Sequence, residues 1–386
     1  MKNVSILIIC TIILSYNING QINDDPNYNI VLNEEFDGIN RKWNEDTFTE
    51  DCDNPLWKCL SGESWWMGVV TNNINHHQAY QTRNAVFGND GKMRLISEFI
   101  SETPLVEGDY VIPSHYEFDI ETNSKGIYYF SGTIETSTID YHFGYYELKA
   151  SLPIHDGGCS AFWLWGDSNT TYEEIDIYEH TIYDSSGDLY RGFSCGIWYN
   201  SEGCNYSDND SSQAINFAKH YYNYSINQND LSHEHTFACE WLPDRVTWFF
   251  DGQAINECKD KSQIPQNQKK IKVTYPINKG ALNETCDFPV WRDGDTLTIS
   301  HLKYFALKTD CSNDLSITSN SQISNMDYKV KRSIIIGSPD NVIVVPQNIN
   351  FTLRAVDSIT INGSFELPLG TEMTLIVHEC PDCNNY

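Results

Sequence analysis

The sequence predicts an all-β protein, and three features of its 386 residues indicate this class. Short segments of alternating or β-branched residues, such as GYYELKASLP and HTFACEW, are separated by Gly, Asn, Asp and Pro. Asp251 and Gly252 stand between two such segments, where a hairpin turn is expected. No long stretch has a helical period. The pattern favours a sandwich of antiparallel sheets over an α/β fold.

The first 20 residues have the pattern of a signal peptide. Residues 1–20 carry one lysine, Lys2, before a short apolar tract and end in SYNING. This tract is shorter than the roughly 20 residues that a membrane-spanning helix needs, and no other such run follows. We therefore expect cleavage near Gly20, a secreted or cell-surface protein and no membrane span.

The remaining chain divides into three parts by composition. Residues 21–311 carry most of the predicted strands and are expected to form one large domain. Residues 312–326 are polar and rich in Ser and Asn, which is typical of a linker. Residues 327–386 are predicted to form a small C-terminal β-rich segment.

The charge of the chain restricts its partners. It has 53 acidic against 25 basic residues and a formal net charge of −28. Nucleic acids and anionic membrane surfaces are poor partners for such a surface. We expect neither as a partner, and we expect a monomer.

Cysteines of an exported protein are expected to pair. Cys195 and Cys204 are predicted to form a disulfide that closes the loop around Trp198, and Cys52 and Cys59 are a second such pair. The final CPDC is predicted to form a strained local disulfide or to pair elsewhere.

The segment TYEEIDIYEHT concentrates carboxylates in a strand pattern. Ile175 and Ile177 alternate with polar residues at period two, as in a strand with one buried and one exposed face. Glu174 and Asp176 then share the exposed face. Regular alternation would turn Glu179 to the other face, unless one extra residue bulges out and returns it.

Five motifs in order resemble glycoside hydrolase family 16. They are VLNEEFDGINRKWN, HFGYYELKASLP, AFWLWG, EIDIYE and HTFACEWLPDRVTWFFDG, within the range from about Asn29 to Thr309. The resemblance implies a β-jelly roll sandwich of two antiparallel sheets with a concave glycan-binding cleft. It also implies hydrolysis of a polysaccharide with retention of anomeric configuration.

The family's pattern assigns roles to three carboxylates. Glu174 matches the nucleophile, Glu179 the acid/base and Asp176 the residue between them. A retaining glycosidase needs two carboxyl groups about 5–5.5 Å apart, which Glu174 and Glu179 reach only across the bulge. Neighbouring anions are expected to raise the pKa of Glu179 and keep it protonated before the first step. Without the other motifs, such acids would be interpreted as solvated carboxylates.

Four residues are predicted to bind substrate. Trp163 resembles the family's cleft tryptophan, Trp165 lies on the same face, and Trp198 follows on a later strand. Arg83 resembles an arginine that faces the glycan. Core packing is the alternative for the tryptophans, and a surface salt bridge is the alternative for Arg83.

No cofactor is expected for catalysis, and the sequence argues against a metal. HEH at 233–235 is a weak metal pattern, and His235 is interpreted as structural. Glu35 and Gly91 match two positions of a calcium site found in family members. Ser300 stands where that site needs an aspartate, so calcium is doubtful.

The function predicted is that of an endo-acting retaining hydrolase of β-1,3- or β-1,3-1,4-glucan. Glu173, Tyr178 and Cys159 depart from residues common in the family's β-1,3-glucanases. A galactan hydrolase of the agarase or carrageenase type, a transglycosylase and a non-catalytic glycan-binding jelly roll remain alternatives. The tail resembles a C-terminal element of exported Bacteroidota proteins, and packing, surface attachment or export, and sugar binding are its open roles.

Overall fold

The structure is a computed structural model. It describes residues 27–37, 41–44, 49–52, 55–59, 78–99, 129–138, 141–154, 158–168, 171–181, 192–200, 218–276, 295–324, 329–339, 342–346, 350–369 and 371–380. The predicted signal peptide and Cys204 lie outside these residues. No helix within them is long and apolar enough to cross a bilayer.

The described residues form strands almost throughout. In chain order the strands are β1 (Tyr28–Glu34), β2 (Trp57–Lys58), β3 (Gln78–Tyr80), β4 (Ala85–Phe87), β5 (Met93–Ile96), β6 (Glu98–Phe99), β7 (Tyr129–Ser131), β8 (Thr133–Thr136), β9 (Gly144–Ser151), β10 (Cys159–Ser168), β11 (Thr171–Thr181), β12 (Gly192–Asn200), β13 (Ala218–Ser225), β14 (Glu234–Leu242), β15 (Arg245–Phe250), β16 (Gln253–Cys258), β17 (Lys270–Thr274), β18 (Thr296–Leu307), β19 (Thr309–Asp310), β20 (Leu315–Ile317), β21 (Val330–Ile336), β22 (Val342–Val344), β23 (Asn350–Ile361), β24 (Ser364–Glu366) and β25 (Glu372–Val377). The helices are α1 (Gln228–Leu231) and α2 (Asn320–Ser324), and a 3-10 turn spans Thr82–Asn84.

Two antiparallel sheets form the main body. The back sheet has the order β16-β15-β14-β9-β18-β5-β4, with β1 also paired to β18. The front sheet has the order β13-β12-β11-β10-β17-β8-β2. Strands far apart in the chain are neighbours in both sheets, as β10 and β17 are. The predicted antiparallel sandwich is confirmed.

The core lies between the two sheets. Phe162, Leu164 and Ile175 of the front sheet and Tyr146 and Leu148 of the back sheet are fully buried in one cluster. Each such side chain contributes about 1.5–3 kcal/mol relative to its exposed state. Alternation along each front-sheet strand then sends the intervening side chains to the opposite, outer face, called here the front face.

The predicted hairpin turn between β15 and β16 is present. Asp251 and Gly252 have φ values of 47° and 74°, and Phe250 pairs with Gln253 around them. Two consecutive positive φ angles are typical of a type I′ turn, whose twist matches that of the flanking strands.

The C-terminal unit is made of parallel strands. Its five-stranded sheet has the order β19-β21-β23-β25, with β20 beside β21, and β22 pairs with β24. Val342 pairs with Ser364 and Asn350 with Glu372, so successive turns of the chain stack in register, as in a short solenoid.

Residues 312–324, the described part of the stretch predicted as a linker at 312–326, belong to this unit. They contain β20 and α2, and Ile317 and Ile323 are buried in the unit's own core. The segment is rich in Ser and Asn, and its average polarity gave no indication that Ile317 and Ile323 are buried. Only a few of its positions contribute to the core.

The C-terminal unit packs on the outer face of the back sheet, away from the front face. Val330 is buried against Tyr145, Phe249 and Phe305, which point outward from the back sheet. Arg354 also reaches across this contact to the carboxylate of Glu240, at 2.9 Å. A disulfide between Cys311 and Cys380 joins the two ends of the unit.

Both predicted disulfides are wrong. Cys52 is an exposed free thiol, so it is not bridged to Cys59. Cys195 is a free thiol with no exposed surface, because its position on β12 points into the core like Ile197. Short separation in the chain could not show that the side chain faces away from the loop. Cys380, the first cysteine of CPDC, bridges to Cys311 instead.

Candidate active site

Strand β11 contains the predicted bulge. On the β10 side, Tyr178 pairs with Phe162 and Asp176 pairs with the next residue, Trp163. Ile177 is therefore the extra residue in β11, and both Ile177 and Tyr178 are buried in the core. Because Ile177 and Tyr178 both point inward, the residues of β11 that follow them point to the opposite faces from those that regular alternation would give.

The neighbouring strand β12 shows the consequence for the carboxylates. Asp176 pairs with Gly196 and Glu179 with Ser194, so two residues of β11 lie opposite one of β12. Glu174, Asp176 and Glu179 consequently share the front face. The predicted bulge is confirmed, and it brings the three acids together on one surface.

Asp176 lies at the centre of this group and is nearly buried, at 4% exposure. Burial raises its pKa well above the ordinary value, and the charges of Glu174 and Glu179 and a hydrogen bond with Glu174 raise it further. Trp198 Nε1 donates to Asp176 Oδ2 at 3.0 Å. Trp248 Nε1 donates to the Asp176 backbone carbonyl at 2.8 Å, which anchors the strand from the core. The side chains of Asp176 and Glu174 are thus hydrogen-bonded to each other on the front face.

Asp176→Asn is expected to raise the melting temperature at pH 7. The folded protein holds a proton on Asp176 that the unfolded chain releases above its usual pKa of 3.8. The contribution of Asp176 to the free energy of unfolding is fully present below pH 3.8. It is lost as the pH rises from there through the folded-state pKa. The amide keeps both hydrogen bonds without this loss, and each kcal/mol gained is worth about 2–4 °C. Calorimetry from pH 3.5 to 8 should show a gain that disappears at the acidic end, and a gain independent of pH would contradict the assignment.

Glu179 has two polar neighbours from adjacent strands. Cys159 Sγ lies 3.9 Å from Glu179 Oε1, and Ser194 Oγ donates to the Glu179 backbone carbonyl at 3.2 Å. Burial and then the charge of Glu179 raise the pKa of the Cys159 thiol well above its usual value, so it stays a neutral donor. Tyr221 donates to Ser194 Oγ in turn. The sequence marked Cys159 only as a departure from the family, and did not indicate its contact with Glu179.

Glu173 points into the protein and is 2% exposed. It forms an ion pair with Lys269, which is fully buried, and accepts a hydrogen bond of 2.8 Å from Asn267 Nδ2. Gly166 leaves the space through which the Lys269 side chain passes, since a Cβ there would lie 3.2 Å from Lys269 Cδ. The ion pair lies on the core side of β11, beneath the strand that carries Glu174.

Glu173→Ala is therefore expected to destabilise the fold by about 3–5 kcal/mol, because it leaves the Lys269 ammonium buried without its counter-ion. Chemical unfolding followed by tryptophan fluorescence would measure this loss. The double variant Glu173→Ala/Lys269→Met is the matched control and should recover most of it. A single variant as stable as the wild type would show that the pair contributes nothing.

The three predicted tryptophans lie around the acids. Trp163 pairs with Asp176 and Trp165 with Glu174 across β10 and β11, so both are on the front face. Trp163 is 7% exposed, while Trp165 and Trp198 are partly exposed. Their positions suit contact with a sugar, although Trp163 is largely packed.

Arg83 lies in the 3-10 turn before β4. Its guanidinium forms an ion pair with Glu98 at 3.1 Å and stacks over the Phe130 ring at 4.8 Å. This geometry is the surface salt bridge that the sequence left as the alternative to substrate contact.

The positions matched to a calcium site do not fit the ion. The Glu35 carboxylate forms an ion pair with Lys303 at 2.9 Å, and Ser300 donates to Glu234 at 2.7 Å. No group of three or more potential metal ligands occurs among the described residues. His235 contacts the Asp251 carboxylate and the Asp230 carbonyl, at 2.8 and 2.9 Å, which agrees with a structural role.

The segment that contains these acids is similar to known proteins. Residues 103–286 match the model of the family described as Glycosyl hydrolases family 16. Endo-1,3-1,4-beta-glycanase ExsH from Rhizobium meliloti (strain 1021) is 24% identical over 194 residues, which are 50% of this chain and 36% of ExsH. Endo-1,3-1,4-beta-glycanase EglC from the same strain is 26% identical over 146 residues, covering 38% of this chain and 27% of EglC. The chain thus spans less than half the length of these relatives.

A solved structure shares the fold. That structure carries the description "Prominent members of the human gut microbiota express endo-acting O-glycanases to initiate mucin breakdown". Its chain superposes on this one with a TM-score of 0.52 and is 18% identical in sequence. The match covers 73% of this chain and 92% of the other. Residues 103–286 therefore resemble glycosyl hydrolase family 16, and the described strands have the sandwich fold that the motifs predicted.

Proposed function

We propose that the chain is a secreted, endo-acting retaining glycoside hydrolase that cleaves a β-linked polysaccharide by double displacement. The observation that carries this proposal is the bulge at Ile177, which sets Glu179 on the same face as Glu174 with protonated Asp176 between them. Two carboxyl groups on one face, close to one another, are what a retaining mechanism needs.

In the first step Glu174 attacks the anomeric carbon while Glu179 gives its proton to the departing glycosidic oxygen. The bond to that oxygen breaks and a covalent glycosyl ester on Glu174 forms. In the second step Glu179, now ionised, takes a proton from a water molecule. The oxygen of that water attacks the anomeric carbon and breaks its bond to Glu174. Glu174 leaves as a carboxylate, and two inversions give net retention.

Asp176 is a positioning residue in this mechanism. Its proton is donated to Glu174, and its other oxygen accepts from Trp198, so the nucleophile's orientation is set before substrate arrives. This hydrogen bond also spreads the negative charge that Glu174 recovers when the ester is hydrolysed.

The substrate proposed is a β-1,3- or β-1,3-1,4-glucan. Support comes from the names of the curated relatives and from the partly exposed indoles of Trp165 and Trp198 beside the acids, on which sugar rings can stack. Catalysis of this kind needs no cofactor. Secretion rests on the predicted signal peptide at 1–20.

The test is incubation with laminarin, lichenan, agarose, carrageenan and xyloglucan, with sizing of the products. An endo-acting enzyme should release a series of oligosaccharides early, and proton NMR should show the β-anomer first. An initial α-anomer would contradict retention, and no product from any polymer would contradict the hydrolase itself.

A further inference from the structure

An exposed tyrosine extends the front face beyond the three acids. Tyr221 of β13 pairs with Gly196 of β12, and Gly196 pairs on its other side with Asp176. Paired residues of an antiparallel sheet point to the same face, so the Tyr221 side chain shares the front face with Asp176. The preceding residue of β13, His220, points the other way and stacks on the buried ring of Trp248 at 5.6 Å. Tyr221 itself is 38% exposed.

The ring of Tyr221 lies across β12 towards the acids. Gly196 has no side chain, and a Cβ there would lie 3.0 Å from Tyr221 Cδ2, so the ring passes directly over this position. The hydroxyl of Tyr221 donates to Ser194 Oγ, two residues along β12 from Gly196. Ser194 pairs with Glu179, and its own hydroxyl donates to the Glu179 backbone carbonyl at 3.2 Å. The tyrosine ring therefore reaches from β13 to the immediate neighbour of Glu179.

The hydrogen bond to Ser194 fixes this ring before any ligand binds. Because the ring is held by its hydroxyl at one end and by the backbone at the other, little conformational entropy is lost when a ligand packs on it. Trp198 stands beside it, with ring centroids 6.3 Å apart and ring planes at 68°. The rings of Tyr221 and Trp198 thus form an aromatic corner on the β12 side of the acids.

The two rings of this corner lie beside different acids. Trp198 pairs with Glu174, the proposed nucleophile. The Tyr221 hydroxyl instead contacts Ser194, which is the partner of Glu179. An acid/base has to lie within hydrogen-bond distance of the glycosidic oxygen that departs, so the sugar that carries this oxygen lies beside Glu179. Tyr221 is therefore on the side of the leaving sugar.

We propose that Tyr221 binds the sugar ring that leaves with the glycosidic oxygen, by packing its exposed aromatic ring against the C–H face of that sugar. This proposal rests on the proposed hydrolase function and adds to it a contact on the leaving-group side of a neutral β-glucan. The stabilisation comes from burial of apolar surface on a ring that is already held in place. No charge takes part, so an unsubstituted glucose ring suits this contact.

The test compares substrates with and without a leaving sugar. Laminarin and lichenan have a glucose ring on the leaving-group side, whereas the leaving group of β-laminaribiosyl fluoride is a single ion. Tyr221→Ala should lower the ratio of kcat/KM on the polymer to kcat/KM on the fluoride about tenfold, as expected when one aromatic contact is lost. Tyr221→Leu, which keeps the bulk of the side chain but not its flat ring, should lower the ratio in the same way.

Two further variants complete this test. Tyr221→Phe keeps the aromatic ring and should keep most of the ratio. Tyr222→Ala is the matched control, because Tyr222 is 40% exposed but pairs with the inward-facing Cys195, and it should leave the ratio unchanged. An equal loss on polymer and fluoride in Tyr221→Ala would overturn the contact with the leaving sugar. A ratio as low in Tyr221→Phe as in Tyr221→Ala would also overturn it, since the hydroxyl would then act through Ser194 on Glu179.

A binding measurement tests the contact independently of catalysis. Electrophoresis of the Glu174→Gln variant in gels that contain laminarin or lichenan should show retardation, which Tyr221→Ala should reduce and Tyr222→Ala should not. A wild type that cleaves nothing but is retarded in this way would contradict the hydrolase proposal alone. Equal retardation with and without Tyr221→Ala, or no retardation by either polymer, would overturn the contact.

Discussion

Glu174→Ala is expected to abolish hydrolysis of polysaccharide and of activated aryl β-glycosides alike, because no covalent intermediate can form without the nucleophile. The side chain lies on the front face beside Trp165, and a methyl group there removes the attacking oxygen without entering the core. Azide added to this variant should take the place of the carboxylate and give the α-glycosyl azide.

Glu179→Ala should behave differently on the two kinds of substrate. Loss of the general acid is expected to cost about 10²–10⁴-fold on polysaccharide. An aryl glycoside with a good leaving group needs no proton and should still form the glycosyl ester on Glu174. Azide should then attack the anomeric carbon of that ester and give the β-glycosyl azide.

Glu257→Ala is a suitable control, since Glu257 lies on β16 of the back sheet and forms an ion pair with Lys259 at the surface. Its activity should match that of the wild type. The assignment of roles fails if Glu174→Ala retains activity on either substrate, or if both variants give the same azide anomer.

Removal of the C-terminal unit is expected to destabilise the catalytic domain strongly. A chain that ends at Asp310 exposes Tyr145, Phe249 and Phe305 on the back sheet and separates Glu240 from Arg354. Exposed apolar surface of this kind promotes aggregation, and a buried carboxylate without its partner costs about 3–5 kcal/mol. A linker at 312–326, as the composition predicted, would let the two parts fold independently, and the packing of Val330 on the back sheet argues against this.

Two measurements test the loss of stability expected when the C-terminal unit is removed. The truncated chain should melt well below the wild type, by more than about 6 °C if the lost ion pair alone costs 3 kcal/mol, and should aggregate on gel filtration. Arg354→Ala in the full chain should reproduce part of the loss, and Arg354→Ala/Glu240→Gln should recover some of it. A truncated chain that unfolds cooperatively at the wild-type temperature would show that the contact is dispensable.

Local patterns were enough to predict the front-sheet strand and its acids. The period-two run around Ile175 and Ile177 identifies which side chains are buried, because alternation is a property of the strand itself. The bulge was predicted from the spacing of Glu174 and Glu179 together with the family resemblance, and the register of β10 and β12 confirms it. Sequence reasoning therefore predicted the fold class and the grouping of the three acids.

Other features depend on partners distant in the chain, and the sequence gives no signal for which partner is chosen. Glu173 is buried because Lys269, which lies 96 residues further along the chain and directly before β17, supplies its counter-charge. Lys270 and Lys272 share Glu135 only because β17 and β8 are adjacent.

What the sequence by itself determined is the sandwich class and the acidic strand, since both follow from neighbouring residues, while the bulge also needed the family resemblance. Only the tertiary structure decided that Cys195 faces the core, that 312–324 packs within the C-terminal unit, and that this unit covers the back sheet through Arg354 and Glu240. Burial of a charge or thiol is set by which elements meet around it, and that information lies in long-range pairing rather than in any local pattern.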